Sequence, residues 1–330
     1  MNARHRLLVP AGALAALLSA CGGGGGGGGE NAGPTLAQRS TAAKASAEST
    51  TNACAAVRPF YWEVGDAAAA QASGSVDAAG GAVHWTADSV MPIASASKWL
   101  YGAYVAQRRG GALTADDVRF LSFRSGYIDF TACERDATVQ SCAEAGDNNR
   151  YTASADGRFS YGGGHMQQHA ARNGLGAYDN AGLAAEMRRL LDPGMALGYS
   201  QPQLAGGAAT SAAQYARVLR GILGGRLVMH DLLGSNATCT NPATCPTAIN
   251  TPVDPALSWS YSIGHWVEND PASGDGAFSS AGAFGFYPWI DASRRWYGVL
   301  ARSDLAAGAG GASAECGALI RRAWMDGVAR

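Results

Sequence analysis

Strand-like and helix-like patterns of apolar residues occupy different parts of this chain. Residues 60–64 and 296–301 are rich in aromatic and β-branched side chains, which are typical of β-strands. From about 110 to 225 helical patterns dominate, and 181–191 and 212–223 are the clearest examples. The sequence therefore predicts strands on either side of a mostly helical middle.

The N-terminus has the pattern of an export signal. A basic start at 4–6 precedes an apolar run over 7–18, which is too short to cross a membrane. The run ends in Leu-Ser-Ala before Cys21, which resembles the lipobox of bacterial lipoproteins. We expect a signal peptide over 1–20 and a membrane anchor through lipidated Cys21. The expected location is the bacterial cell envelope, facing the periplasm and more readily at the outer than at the inner membrane. A plain secretory signal is the alternative.

A segment of small residues follows the cysteine. Eight glycines come after Cys21, and residues 30–51 are rich in Ala, Ser and Thr with almost no large apolar side chains. Such a sequence buries too little surface to order itself. We expect a flexible tether over 21–52 and one globular domain over 53–330.

Composition excludes some function classes. The net charge is −1 and charged residues make up 15% of the chain, so no basic surface for nucleic acid is expected. The part after the tether is long enough to bury a sizeable core.

The cysteines predict disulfides. If Cys21 carries lipid, an even set remains, and in an oxidising compartment an even set favours disulfides. Pairs close in sequence are the economical choice, although other pairings stay open. No Cys-x-x-Cys or tight Cys/His cluster occurs, so we expect no metal and no cofactor. The preferred pairs are Cys133 with Cys142, Cys239 with Cys245, and Cys54 with Cys316.

Lysine is almost absent from the chain. The only lysines are Lys44, in the expected tether, and Lys98. Arginine stays protonated in proteins, whereas a desolvated lysine can lose its charge and act as a base. A lysine kept at one place in the domain therefore suggests a chemical role.

Lys98 belongs to a Ser-x-x-Lys motif with Ser95. Pro92 precedes it, and the following residues are mostly apolar, which predicts a buried helix. Residues three apart share a helix face, so the Ser95 hydroxyl and the Lys98 amine can meet. A neighbouring base turns a serine hydroxyl into a nucleophile. Ser97 is the competing nucleophile, but its spacing to Lys98 is unsuitable.

An ordered series of motifs resembles the penicillin-binding and serine β-lactamase superfamily, including its class C, family VIII carboxylesterase and nylon-oligomer hydrolase branches. The resemblance extends from about residue 58 to the C-terminus. The landmarks are the Ser-x-x-Lys motif, the segments 113–118 and 120–127, Phe159-Ser160-Tyr161-Gly162-Gly163, the Gly-Gly helix start at 206–216, the strand at 261–266, and the third motif with its following strand at 279–291.

The resemblance implies an α+β fold. It has an antiparallel sheet flanked by terminal helices, a mostly helical inserted lobe at about 110–225, and the site between them. Residues 319–328 are then the closing helix, next to Cys316, which would reach Cys54 on the opening segment.

The resemblance also implies site roles. Tyr161 is the second base, which requires a lowered pKa beside the lysine cation. The backbone N–H groups of Ser95 and Ala283 form the oxyanion hole. Gly163, Ser280 and Gly282 are the substrate-binding positions of the second and third motifs.

Two departures from the motifs point to the substrate. Gly163 stands where a β-lactamase has Asn, and Ser280 where it has Lys. The lost groups hold a β-lactam amide and its carboxylate, so we expect a carboxylesterase or amidase. The alternatives are a weak or inactive lipid-anchored binding protein of the same fold, and a D-amino-acid peptidase or weak β-lactamase. Arg124 is a possible substitute cation, without a spacing argument for it.

Three histidines are secondary candidates. His165 and His169 lie four apart after Tyr161 and are expected to be a helical pair rather than metal ligands, since neither a glutamate between them nor a third ligand is evident. His265 is a candidate cleft residue beside Trp266. No Gly-x-Ser-x-Gly elbow occurs.

Overall fold

A computed structural model describes residues 33–330. The predicted signal peptide, Cys21 and the glycine run lie outside these residues. No helix within 33–330 combines the length and apolar character needed to cross a membrane.

Thirteen strands occur in the described part of the chain, and eight of them form one sheet in the order β2-β1-β13-β12-β11-β10-β9-β7. Every neighbouring pair in this sheet is antiparallel. The strands are β1 (Phe60–Gly65), β2 (Ala70–Val76), β3 (Met91–Pro92), β4 (Phe159–Ser160), β5 (Gly198–Tyr199), β6 (Ala208–Thr210), β7 (Thr238–Cys239), β8 (Ala248–Asn250), β9 (Ser260–Tyr261), β10 (Trp266–Val267), β11 (Phe278–Ser279), β12 (Tyr287–Ile290) and β13 (Tyr297–Ala301).

Helices cover both faces of the sheet. Short 3-10 turns occur at Ala53–Val57, Ala94–Ala96 and Ala153–Ala155, and a π-type turn at Ala171–Leu175. The α-helices are α1 (Leu36–Glu48), α2 (Ser97–Arg108), α3 (Ala115–Leu121), α4 (Val139–Glu144), α5 (Gly164–Ala170), α6 (Asn180–Leu191), α7 (Ala212–Leu223), α8 (Met229–Leu232) and α9 (Ala309–Asp326).

Alternate residues along the central strands enter two separate cores. In β1, Tyr61 belongs to the core shared with the helical lobe, whereas Trp62 belongs to the core under α1 and α9. In β13, Val299 and Leu300 divide in the same way. Successive side chains of a strand point to opposite faces, so this sheet is covered on both sides. The predicted α+β fold, with terminal helices and an inserted helical lobe, is confirmed.

The tether prediction is wrong over α1. Thr35 and Gln38 form a capping box at its start. The small residues on one side of α1 are buried, and Arg39 donates hydrogen bonds to the carbonyls of Trp324 and Met325 at the end of α9. Small side chains let two helices approach closely, so this helix packs without the large apolar stripe that sequence patterns detect. Its buried residues are Ala42, Ala43, Ser46 and Ala47.

The closing helix is longer than predicted. Helix α9 begins at Ala309, ten residues before the expected start, and ends at Asp326. Its first turns are glycine, alanine and serine, which carry no helical hydrophobic pattern. Cys316 therefore lies inside α9 rather than beside it.

All three preferred disulfides are present in the structure. Cys54–Cys316 connects the 3-10 turn after α1 to α9 across 262 residues of sequence. Cys133–Cys142 and Cys239–Cys245 close short loops. The long-range bridge joins the opening and closing segments of the domain, as the sequence predicted.

Candidate active site

Ser95 and Lys98 lie side by side between β3 and α2. A hydrogen bond of 2.8 Å joins Lys98 Nζ to Ser95 Oγ. Ser95 belongs to the 3-10 turn Ala94–Ala96 and Lys98 to the first turn of α2, so the three-residue spacing brings the two side chains together. The distance suits proton transfer between a hydroxyl and an amine.

The turn that carries Ser95 is held by its neighbours. Strand β3 pairs with β6, and the Ile93 N–H donates to Ala208 O over 3.0 Å. Ala94 has a φ of 43°, a left-handed conformation that residues other than glycine rarely adopt. The Ser97 hydroxyl is buried and donates to Ala94 O over 2.6 Å, so the competing serine is occupied in holding this turn.

Lys98 is buried beneath Ser95. Only 5% of the residue is exposed, and its Nζ also donates a 2.7 Å hydrogen bond to Ala205 O. Burial lowers the pKa of Lys98 to about 7, because desolvation disfavours the charged form of an amine. With one N–H directed to Ala205 O, the neutral amine can turn its lone pair toward the Ser95 hydroxyl.

Tyr161 follows β4 and reaches the same site. Its ring centroid lies 4.8 Å from Lys98 Nζ, and the ring stacks on Trp266 with centroids 5.4 Å apart. Burial raises the pKa of Tyr161 to about 12, and the Ser95 hydroxyl opposes this shift only partly. The expectation of a lowered pKa is wrong, because burial of the hydroxyl disfavours the charged phenolate. Tyr161 therefore presents a protonated hydroxyl, which can relay a proton.

The backbone near Ser95 offers two free donors. Among residues 33–330, neither the Ser95 N–H nor the Ala283 N–H donates to an acceptor. Ala283 and Ser95 both line the same cleft. The Ser280 hydroxyl donates to Ser95 O over 3.0 Å, so the third motif is tied directly to the turn that carries the nucleophile. Two N–H groups beside one cleft, without an acceptor among the described residues, are the kind of donors that stabilise an oxyanion, so the oxyanion hole stays a prediction.

Gly282 brings the third motif close to that turn. A Cβ at Gly282 would lie 2.2 Å from Ile93 O, nearer than any real contact allows. We expect Gly282→Ala to displace the Ala283 N–H and to lower kcat/KM at least about tenfold, since loss of one oxyanion donor costs roughly 10²-fold or more. The matched control is Gly198→Ala, because Gly198 lies outside the cleft lining and a Cβ there would have nothing within 4 Å. Wild-type kcat/KM in Gly282→Ala would show that this close approach is not needed.

The site opens into a cleft of about 840 Å³. One wall is the segment 252–259 together with Trp266, and another is the loop that follows β10, including Glu268 and residues 273–274. The start of α9 and the end of the third motif complete the cleft. Ser95 and Tyr161 are therefore accessible to a small molecule, whereas Lys98 lies below the surface.

The three predicted substrate positions lie behind the cleft surface. Gly163 precedes α5, where a Cβ would lie 2.9 Å from the Phe130 ring. Ser280 and Gly282 are buried against the nucleophile turn. The residues of the third motif that line the cleft are Ala281 and Ala283 instead.

The histidines and Arg124 have other partners. His265 is fully buried and lies outside the cleft lining, so the expectation that it faces the cleft is wrong. It accepts from the Gly234 N–H over 3.0 Å and stacks on Trp99 with ring centroids 5.4 Å apart. Burial lowers the pKa of His265 to about 4. Arg124 donates to the Ser122 hydroxyl.

His165 and His169 occupy α5, as predicted for a helical pair. His165 is buried and contacts the Ser125 hydroxyl at 2.7 Å and Ser160 O at 2.9 Å. His169 lies between the Tyr101 hydroxyl and the Asp117 carboxylate. Both imidazoles therefore belong to hydrogen-bond networks inside the helical lobe.

Several supporting residues were missed from the sequence. Ala205 orients the lysine through its carbonyl, and Tyr215 donates from its hydroxyl to Ala96 O over 2.9 Å. Arg321 of α9 binds Glu268 of the cleft wall. A backbone carbonyl leaves no signal in the sequence. Tyr215 was visible within the resembling segment 206–216, but its partner lies more than a hundred residues away.

No family model matches this chain, and no curated protein matches its sequence. Solved structures with similar folds do exist. EstCE1, a hydrolase with promiscuous acyltransferase activity, superposes with a TM-score of 0.65 at 11% identity, covering 88% of this chain and 98% of its own. D-amino acid amidase from Ochrobactrum anthropi SV3 gives a TM-score of 0.59 at 12% identity, covering 81% and 96%.

A penicillin-binding protein from Bacillus halodurans gives a TM-score of 0.57 at 12% identity, covering 79% of this chain and 94% of its own. The TM-scores and the shares of the chains covered show a shared fold, and at such low identities they show the fold alone. The chain therefore has the β-lactamase and transpeptidase-like fold, and the resemblance drawn from its motifs is confirmed at that level.

Proposed function

We propose that this chain is a serine hydrolase that cleaves an ester or amide through an acyl-Ser95 intermediate. The observation that carries the proposal is the 2.8 Å contact between Ser95 Oγ and a buried lysine amine whose pKa is about 7, at the floor of an open cleft. A base that is partly neutral at physiological pH, one hydrogen bond from a hydroxyl, is what nucleophilic catalysis requires.

The groups at the site account for each proton. The Lys98 amine takes the Ser95 proton as Oγ attacks the substrate carbonyl carbon, and the N–H groups of Ser95 and Ala283 stabilise the resulting oxyanion. The Tyr161 hydroxyl passes a proton to the departing alcohol or amine and regains one from the Lys98 ammonium. Water then attacks the acyl-Ser95 ester by the reverse path, which releases the acid and restores the hydroxyl.

The substrate class follows from what the third motif lacks. Ser280 carries no charge, and its hydroxyl is engaged by Ser95 O. A substrate carboxylate therefore has no lysine to bind there. This favours a carboxylesterase or amidase over a strong β-lactamase, and one structural neighbour is by its name an amidase. We further propose that the enzyme acts in the cell envelope, anchored through Cys21.

A fluorophosphonate probe tests the proposal. We expect it to label the wild type at Ser95, with the site assigned by mass spectrometry of the labelled peptide. Ser95→Ala should abolish labelling, whereas Ser97→Ala should retain it. Folded wild type that resists the probe, and that hydrolyses neither p-nitrophenyl esters nor nitrocefin, would favour the inactive binding protein instead.

The pH profile provides a separate prediction. The base is the neutral amine, so activity is lost as the pH falls through the Lys98 pKa of about 7 and Lys98 gains a proton. We expect kcat/KM for p-nitrophenyl acetate to fall about tenfold per pH unit well below 7 and to level off above 8. A profile that is flat between pH 5 and 9 would contradict a lysine base.

A further inference from the structure

The residues that line the catalytic cleft include more acidic than basic side chains. Four of the residues that line it carry a charge: Asp254, Glu268, Glu315 and Arg322. Within residues 33–330, Asp254 and Glu315 have no basic partner within salt-bridge distance, and both are exposed. The free charges that open onto the cleft are therefore both acidic.

The other two charged residues of the lining have partners. Glu268 is buried and paired with Arg321 at 2.6 Å. Arg322 donates to Ser273 O over 2.6 Å and lies 3.9 Å from the Asp275 carboxylate, so its charge is only partly shared. One partly shared cation does not balance two carboxylates that have no basic partner in the part of the chain that the structure describes.

Glu315 lines the same cleft as the reacting centre. The start of α9 touches the third motif, since a Cβ at Gly310 would lie 2.6 Å from Gly282 O and 3.3 Å from Ala283 Cα. Glu315 lies five residues after Gly310 on the same helix, between one and two helical turns further along.

The N-terminus of α9 opposes this acidic field only in part. A helix N-terminus is equivalent to roughly half a positive elementary charge. Asp254 and Glu315 are two full carboxylates when ionised, so the balance in the cleft remains negative. The aromatic wall of Trp259 and Trp266 does not counter it, because the face of an indole ring attracts cations.

We infer that the cleft selects esters or amides that carry a cationic group, an ammonium or a guanidinium, and disfavours anionic ones. Asp254 and Glu315 are its specificity-determining residues. The inference rests on the proposed hydrolase function and adds the charge class of the substrate. The Ser95 centre and its cleft define the binding site. The two carboxylates determine only the charge of the substrate that the site prefers.

Matched substrates of different charge test it. On the acyl side, p-nitrophenyl esters of 4-trimethylammoniobutanoate, 5,5-dimethylhexanoate and glutarate are cationic, neutral and anionic at similar size. On the leaving-group side, acetylthiocholine is compared with S-(3,3-dimethylbutyl) thioacetate. At low salt we expect kcat/KM for the cation to exceed that for the neutral isostere about tenfold in at least one series, a size consistent with screened charges several ångströms apart.

Variants connect the preference to the carboxylates. Glu315→Gln combined with Asp254→Asn should bring the ratio of kcat/KM for the cationic substrate to kcat/KM for its neutral isostere close to one. Glu134→Gln, which removes an exposed carboxylate outside the cleft lining, should preserve the ratio. Raising the salt concentration should reduce the cationic to neutral ratio of the wild type, because salt screens the attraction between charges.

The outcomes separate the two proposals. If the neutral esters are hydrolysed but neither series prefers the cation, or if the double variant keeps the wild-type ratio, the charge inference is overturned while the hydrolase proposal stands. If no ester of either series is hydrolysed and the fluorophosphonate probe does not label Ser95, the proposed function fails and the inference fails with it.

Discussion

Lys98→Met is expected to lower kcat/KM for p-nitrophenyl acetate by about three orders of magnitude, since a positioned general base contributes roughly 10² to 10⁴-fold. Methionine fills the buried space of the lysine stem, so the loss should come from the missing amine and not from a cavity. The second-order rate of fluorophosphonate labelling at Ser95 should fall in parallel, because the probe reports on the nucleophile without requiring turnover.

The chain supplies its own control for this substitution. Lys44 is the only other lysine, lies on α1 with 65% of its side chain exposed, and is 3.8 Å from Glu48. Lys44→Met should keep wild-type kinetics. Lys98→Arg adds a second comparison, because arginine keeps its charge and cannot act as a base, so it should be as inactive as Lys98→Met. Full activity in a folded Lys98→Met protein would place the base elsewhere.

Arg321→Met is expected to lower the free energy of unfolding by about 3 to 5 kcal/mol, the usual effect of removing one partner of a buried ion pair. Only 1% of the Arg321 side chain is exposed. Its guanidinium lies 2.6 Å from Glu268, 2.8 Å from Asp275 and 2.6 Å from the Tyr287 hydroxyl. The substitution leaves the Glu268 carboxylate buried without a cation. Urea denaturation followed by tryptophan fluorescence measures the change.

Arg322→Met is the matched control for that measurement. The Arg322 side chain is 41% exposed, and its nearest carboxylate, Asp275, is 3.9 Å away. Such a contact contributes less than about 1 kcal/mol. Adding Glu268→Gln to Arg321→Met should restore part of the stability, because it removes the unpaired charge. Equal destabilisation by Arg321→Met and Arg322→Met would show that the buried ion pair contributes no more to the free energy of unfolding than the exposed contact.

The parts of the site that could be read from the sequence are local. The spacing of Ser95 and Lys98 sets their contact through helix geometry, and the scarcity of lysine drew attention to a residue that the structure buries beside Ser95. Strand β1 and helix α7 follow their predicted bounds closely, since each carries a clear apolar pattern. The Cys54–Cys316 bridge followed from pairing the nearer cysteines first.

The parts that could not be predicted depend on distant contacts. The small residues of α1 are ordered only because α9, nearly three hundred residues later, covers them. Burial raises the pKa of Tyr161 and lowers the pKa of Lys98, and no spacing in the sequence reveals how deeply the fold buries either group. Asp254 and Glu315 are sixty-one residues apart in the sequence, and only the folded chain places both in the lining of one cleft.

If Cys21 carries the proposed lipid, the packing of α1 onto α9 shortens the stretch of chain between that lipid and the folded body. Only about a dozen residues of sequence lie between Cys21 and Pro34, instead of the thirty that a tether ending at Asn52 would provide. A chain of that length spans at most about 40 Å. A hydrolase anchored in this way would act only on what comes within a few nanometres of the bilayer surface.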